Sequence, residues 1–325
     1  MGHAQERTHR DTIWSLIWHD PSIPKTPPSA TPTLWHSDLD WIVARNGFRE
    51  DDLLVAMRSG GPSNHEHADR NSIIVKAFGE VLVSDPRGAP YNAADPDWEM
   101  RTTAGHSAVL IDGKGHQYHD GSEGTKPSDA SARIIRKVQT DKMMHWSSDA
   151  TPAYQLVHPD LVSIVRTVIV LPELAGLILI DRIVKNEEDS GAELRFFVDD
   201  RPELLMQAFD TPARFTHVGH QGGFHAQTAG NVQTHLRFGQ MGTQDQDQKP
   251  HRYTSISTSK SRHIFLVTAI HCFPGLEESG SISPPEVLQR NALTYEATFQ
   301  PAEGKAIRCR IQDSGLLPTL DLIAL

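Results

Sequence analysis

The stretch that decides the fold reads NHEHADRNSIIVKAFGEVLVSDPRG, Asn64 to Gly88. Two short runs of β character, Ile73–Lys76 and Val81–Ser84, flank Phe78-Gly79, the pattern of a hairpin around a tight turn. A hairpin returns to where it started. His67, just before the first run, and Asp85, just after the second, are therefore expected at the same end of a sheet. Further along, TTAGHSAVLIDGKG (Thr102 to Gly115) places His106 immediately before another such run, Ala108–Ile111. If that run joins the same sheet in suitable register, His106 converges on His67 and Asp85. Two imidazoles and a carboxylate suit zinc, with a fourth position left for water or another ligand. Asp69 and Ser72 are placed to donate or accept the outer hydrogen bonds that orient such histidines. Spacing alone leaves two readings open, a metal site or exposed loop histidines beside a turn-forming Asp-Pro.

Outward from this segment the chain keeps a β pattern. Short apolar or β-branched runs recur at Trp41–Arg45, Leu53–Met57, Ile134–Gln139, Ser163–Leu171, Leu177–Val184, Leu194–Val198, His263–His271, Tyr295–Phe299 and Ile307–Ile311. Asp112-Gly113, Gly222-Gly223 and Pro274-Gly275 read as turns between them. No long amphipathic helix separates the runs, which argues against βαβ units. The expected fold is all-β, a large antiparallel sandwich of two stacked sheets. Ahead of it, Arg10–Trp18 shows helical spacing, and Pro21–Pro32 carries five prolines, a stiff extended linker. The expected division is residues 1–36 as N-terminal helical segment and linker, and 37–325 as the β-domain.

Composition narrows the class. Over 325 residues, 38% are hydrophobic and 22% charged, as in a globular chain. A formal net charge of −10 argues against a nucleic-acid partner, since a phosphate backbone demands a basic face. It is compatible with an anionic sugar in a locally basic cleft. No apolar run approaches the roughly 20 residues of a membrane helix. Cys272 and Cys309 read as two unpaired thiols in strands. The N-terminus lacks the pattern of a secretory signal, and compartment stays open.

The run N-H-x-H-x-D-x-x-S, a hairpin ending in D-x-x-G, then T-x-x-H-S-x-V-x-I-D-G, is similar to the heparinase II/III family of polysaccharide lyases, which includes alginate lyases. The specific part spans Asn64–Gly115; looser likeness covers most of the chain. Carried over residue by residue, the resemblance implies that His67, Asp85 and His106 hold zinc and that His65 faces the substrate cleft as a catalytic residue. Ser107 stands where the family usually has Asn, and Arg87 follows Asp85-Pro86 where many members place Gly or Tyr nearby. Tyr91 and Arg101, between the ligand segments, are expected to line the cleft and bind substrate. The implied partner is an anionic, uronate-bearing polysaccharide, and the implied compartment is periplasmic or extracellular.

Such an enzyme eliminates across C4–C5 of a uronate. The carboxylate must be neutralised, a base removes the C5 proton, and an acid protonates O4. In the resembled family most of that machinery lies on an N-terminal α/α-toroid, which this sequence does not show, so the chain is expected to be the β-domain and inactive alone. Two other classes compete. One is a non-catalytic carbohydrate-binding module with structural zinc; the other is a cupin-like metalloenzyme, which the missing Glu after the HxH pair disfavours. Elsewhere, His217, His220 and His225 lack a nearby carboxylate, His116 and His119 read as solvated loop residues, and Asp181-Arg182 reads as a strand-end ion pair.

Overall fold

The hairpin of residues 73–83 forms as the sequence predicts. In a computed structural model that describes residues 20, 22, 32–63, 67–85, 92, 94–117, 128–198, 205–210, 213–242, 250–275, 282–301 and 304–324, Ile73–Ala77 and Glu80–Val83 pair antiparallel. Phe78 and Gly79 between them both have positive φ, 53° and 75°, the pair of left-handed residues that a two-residue hairpin needs. Glycine adopts it freely. Phe78 is held to it, its N–H donating to the Asp51 carbonyl at 2.9 Å.

In chain order the strands are β1 (Thr33–His36), β2 (Trp41–Arg45), β3 (Leu54–Arg58), β4 (Ile73–Ala77), β5 (Glu80–Val83), β6 (Val109–Ile111), β7 (Arg133–Gln139), β8 (Met144–Asp149), β9 (Leu161–Leu171), β10 (Gly176–Lys185) and β11 (Ala192–Phe197). They continue with β12 (Leu205–Asp210), β13 (Ala213–Val218), β14 (Gly222–Gly230), β15 (Thr234–Met241), β16 (His251–Thr258), β17 (His263–Pro274), β18 (Glu286–Asn291), β19 (Thr294–Phe299), β20 (Ile307–Gln312) and β21 (Thr319–Ala324). Four antiparallel sheets result. The first is β1-β2-β3-β4-β5; the largest is β12-β13-β14-β17-β10-β9-β8-β7; the third is β15-β16-β11-β6; the last is β18-β19-β20-β21.

One core unites three of them. Ile42, Val55 and Val75 of the first sheet and Leu194, Phe196 and Ile256 of the third share it with Trp146, Val168, Leu179 and Ile270 of the eight-stranded sheet. The other face of the large sheet, with Ile169, Ile178, Phe265 and Val267, packs on Tyr295, Phe299, Cys309 and Ile311 of the last. The sandwich therefore has three layers where two were expected. The reason is legible in β9 and β10: a strand covered on one side alternates apolar and polar, as β2 and β4 do in their burial. LVSIVRTVIVL and GLILIDRIVK are mainly apolar and buried at nearly every position, on both faces.

Residues from Thr31 onward form one compact unit, which includes β1 (Thr33–His36). Arg10–Trp18 falls outside the described residues. Three further expectations need correction. Gly222-Gly223 opens strand β14 instead of making a turn. The run at 109–111 joins β11 of the third sheet, not the hairpin sheet. Asp181 and Arg182 do not pair with each other, because successive strand residues point to opposite faces. Asp181 instead faces Arg166 across β10 and β9, with Nε–Oδ1 at 2.7 Å and Nη2–Oδ2 at 3.2 Å, while Arg182 donates to Asp313 at 3.1 Å. Cys272 and Cys309 are free and buried, as expected, and burial pushes each thiol up to about 12.

Candidate metal centre

Three segments meet at the seam between the first and third sheets. The hairpin delivers Asp85 from the end of β5. His67 arrives by the turn before β4, in which Asn71 takes φ 65°, a left-handed position that asparagine tolerates. His106 comes from the third sheet, through two short 3-10 turns, Pro96–Arg101 and Thr103–Gly105. Ser107 stitches the seam. Its hydroxyl donates to the Ser84 carbonyl at 3.2 Å and accepts the Phe197 N–H at 3.1 Å, and its carbonyl accepts from Ile73 at 3.4 Å. Underneath, Arg166 Nη1 donates to the carbonyls of Asn71 at 2.8 Å and Ser107 at 2.9 Å. The buried Arg166–Asp181 pair thus fixes the residue next to His106 and the turn after His67.

The three expected ligands do come together, in a chain. Asp85 Oδ1 lies 2.5 Å from His106 Nδ1, and His106 Nε2 lies 3.2 Å from His67 Nδ1. His106 is fully buried, at 0% exposure. Burial alone would lower its pKa, but the charge and hydrogen bond of Asp85 outweigh that and raise it. His67 goes the other way, pushed down to about 4 by burial and by the charges of His106 and Arg101. Each ring nitrogen of His106 thus has one partner, Asp85 at Nδ1 and His67 at Nε2.

Asp85 and His67 sit on opposite nitrogens of one ring, so they do not surround one point. Among the described residues no group of three or more His, Cys, Asp or Glu is placed to hold a metal ion. The two nitrogens facing each other fit one nonetheless. Zinc–nitrogen bonds of about 2.0–2.1 Å in a tetrahedron put two ligand nitrogens about 3.3–3.4 Å apart, close to the 3.2 Å seen here. Asp85 occupies the place of the carboxylate that orients a ligating histidine.

The other expected residues are placed differently. Among the described residues Asp69 hydrogen-bonds no histidine. It accepts from Arg58 Nη1 at 2.5 Å and Arg70 Nη1 at 3.1 Å. Burial works to raise its pKa, yet the charges of His106, Arg58 and Arg70 and the Arg58 hydrogen bond bring it down. Ser72 is buried, and its hydroxyl meets neither histidine. Arg101 is 1% exposed, with its guanidinium 5.6 Å from the centre of the Trp98 ring, and its charge is one of those that lower the His67 pKa. His65, Tyr91 and His119 lie outside the described residues. His116 is not a solvated loop residue. It is buried, accepts the Arg70 N–H at Nε2 (3.1 Å) and donates Nδ1–H to the Gln117 carbonyl (2.7 Å), and burial holds it neutral, down to about 3.

The supports Arg58, Arg70, Arg166 and Asp181 were missed by sequence reasoning. A signal for the last two exists: Arg166 is the one charge in β9 and Asp181 the one acid in the neighbouring strand β10.

The fold and the seam together define a three-layered all-β domain with a carboxylate-held histidine pair at its edge. Residues 31–262 match the family described as heparinase II/III-like, C-terminal. The chain belongs to that family. Among solved structures it resembles heparinase III, at 13% identity over 92% of this chain and 43% of that one, with a TM-score of 0.64. It also resembles the heparinase III BT4657 gene product, at 12% identity over 98% and 46%, with a TM-score of 0.62. The chain thus spans less than half the length of these structures. No curated protein matches it in sequence. The last sheet, β18–β21, lies beyond the matched residues. Among the described residues no helix is long and apolar enough to cross a membrane.

Proposed function

We propose that this chain is the β-domain of a polysaccharide lyase acting by β-elimination on a uronate-bearing polysaccharide, and that it forms one wall of a cleft whose other wall is an α/α-toroid. Zinc is held at His67 and His106, with Asp85 fixing His106 from behind. The observation that carries this reading is the 3.2 Å approach of His67 Nδ1 to His106 Nε2 with a carboxylate on the far nitrogen, in a chain of this family. Two imidazoles favour zinc over calcium, which takes oxygen ligands. The metal, when bound, would hold the seam rigid and place positive charge beside an anionic sugar.

The chain's own residues supply the rest. Arg166 and Ser107 hold the turn that delivers His106; Arg58 and Arg70 neutralise Asp69; burial, with the charges of His106 and Arg101, favours the neutral His67 that can bind metal. His65, two residues before His67, is the proposed acid/base contribution from the β-side. The base and carboxylate-neutralising groups expected on a toroid each contribute on the order of 10²–10⁴-fold. The test is the ultraviolet absorbance of unsaturated uronate product on alginate, heparan sulfate and hyaluronan. The chain alone should show little turnover, and supplying a toroid domain should restore it. Robust turnover by the chain alone, lost in His65→Ala, would replace the two-wall reading with a wholly β active site. Binding without elimination under every pairing would leave a carbohydrate-binding module.

A further inference from the structure

The third sheet buries Leu194, Phe196 and Ile256 in the main core, so the alternate residues of β11 and β16 face outward, on the same side as the free face of the first sheet. Across that outer face Arg237 of β15, Ser255 of β16 and Arg195 of β11 stand in one register row. Strands lie about 4.7–4.9 Å apart, so the two arginine backbones are separated by about 9–10 Å with only a serine between them. The result is a cleft lined by Glu193, Arg195, Arg237, Tyr253, Ser255 and Ser257.

Its donors are prepared but unspent. Arg195 is fixed by Glu193 at 2.8 Å and by the Ala104 carbonyl at 2.6 Å and stacks over the Tyr253 ring at 4.6 Å. These bonds use Nε and Nη1, leaving Nη2 for a ligand. Arg237 is exposed and, among the described residues, makes no ion pair. Tyr253 lies over Gly239 so closely that a Cβ there would collide with its ring, and its ring also packs on Phe197 at 5.0 Å. The glycine therefore keeps the phenol flat beside the row. Two guanidiniums against one carboxylate reverse, locally, the sign of a chain whose formal charge is −10, and paired arginines are the preferred reader of planar and tetrahedral oxyanions.

We propose that this cleft is a subsite for an anionic group, carboxylate or sulfate, of the glycan chain. Arg237 and Arg195 clamp the anion over Ser255, and Tyr253 offers its hydroxyl to the neighbouring ring. The cleft is tied to the histidine pair, since Ala104, which Arg195 grips, lies two residues before His106. The choice of a glycan rests on the lyase reading; the anion chemistry rests on the row itself.

Calorimetric titration of the chain with an alginate tetrasaccharide, which carries carboxylates only, and with a heparin tetrasaccharide tests it, with inorganic sulfate as control. Arg237→Glu should weaken whichever tetrasaccharide binds by at least about tenfold, and Tyr253→Phe by a smaller factor. Loss in the alginate arm identifies the carboxylate; loss in the heparin arm alone identifies sulfate. Both side chains reach solvent, so the variants should keep the wild-type circular dichroism and melting temperature. Equal affinity of wild type and Arg237→Glu, no binding of either tetrasaccharide, or binding of inorganic sulfate only would overturn the proposal. The lyase reading fails separately, through zinc content and turnover. A chain that binds through Arg237 yet supports no elimination even when a toroid domain is supplied would sink that reading and keep the subsite.

Discussion

Two histidine-rich regions look alike in sequence and behave as opposites in the fold. At the seam, His106 is buried, yet Asp85 raises its pKa. In HVGHQGGFH, His217 is as deeply buried, but its Nε2 meets only the Thr254 hydroxyl, at 2.7 Å, and its ring packs against Phe224 at 4.8 Å. Burial then dominates and pushes it down to about 3. His225 meets the Thr216 hydroxyl at 2.8 Å and packs against Phe273 at 4.6 Å. His220 contributes its backbone, whose N–H joins those of Gln221 and Gly222 on the Glu80 carboxylate. The Glu80 carboxylate accepts these backbone amides and ties the β13–β14 turn to the hairpin. What separates a candidate metal site from a set of packing histidines is the charge placed against the ring, not the number of rings.

The largest expected effect breaks the support under the seam, which the β13–β14 region has no equivalent of. Asp181→Ala leaves Arg166 buried and unpaired and should cost about 3–5 kcal/mol, read by urea unfolding, while loosening the Asn71 and Ser107 carbonyls it holds. Arg166→Met combined with Asp181→Leu should recover much of the stability but not the zinc affinity. A single-variant cost under about 1 kcal/mol would remove this pair from the account of the seam.

Zinc content gives the next contrast. On the proposed zinc site, His106→Ala should abolish zinc binding and lower the melting temperature, since metal binding contributes folding free energy. Asp85→Asn should weaken zinc by about 10–100-fold, and His217→Phe should leave it unchanged. Undiminished zinc in His106→Ala, or its loss in His217→Phe, would move the metal elsewhere.

The pH dependence of stability should carry opposite signs in the two regions once metal is chelated. His106, raised in the folded state, contributes stability that is present below the unfolded value of about 6.5 and lost as pH rises through its folded value. His217, depressed to about 3, contributes stability present above about 6.5 and lost as pH falls toward 3. His217→Gln should therefore flatten the acid limb of a stability–pH curve, and His106→Gln the limb above neutrality. Identical curves for the two variants would erase the distinction. The smallest effect is expected for His225→Phe, in which the lost Thr216 hydroxyl contact is worth about 0.5–1.5 kcal/mol and zinc binding should not change.

The sequence by itself determined the all-β class, the hairpin at residues 73–83, and the gathering of His67 and Asp85 at one end of it. Those features depend on local rules: period-two patterning, a Phe-Gly turn, and the fact that a hairpin's ends meet. The double-faced apolar runs of β9 and β10 also carried the third layer, though two sheets were the expectation. Only the tertiary structure decided the rest. His106 reaches the pair from a different sheet, Asp85 takes the far nitrogen instead of sharing a point with His67, and Asp69 serves two arginines instead of a histidine. Asp181 chooses Arg166 over its neighbour Arg182, and Arg237 aligns with Arg195 across a serine 18 positions further on. Each of these depends on register between strands distant in sequence. A shift of one residue sends every side chain to the other face, and no local pattern fixes that choice before the sheets pack.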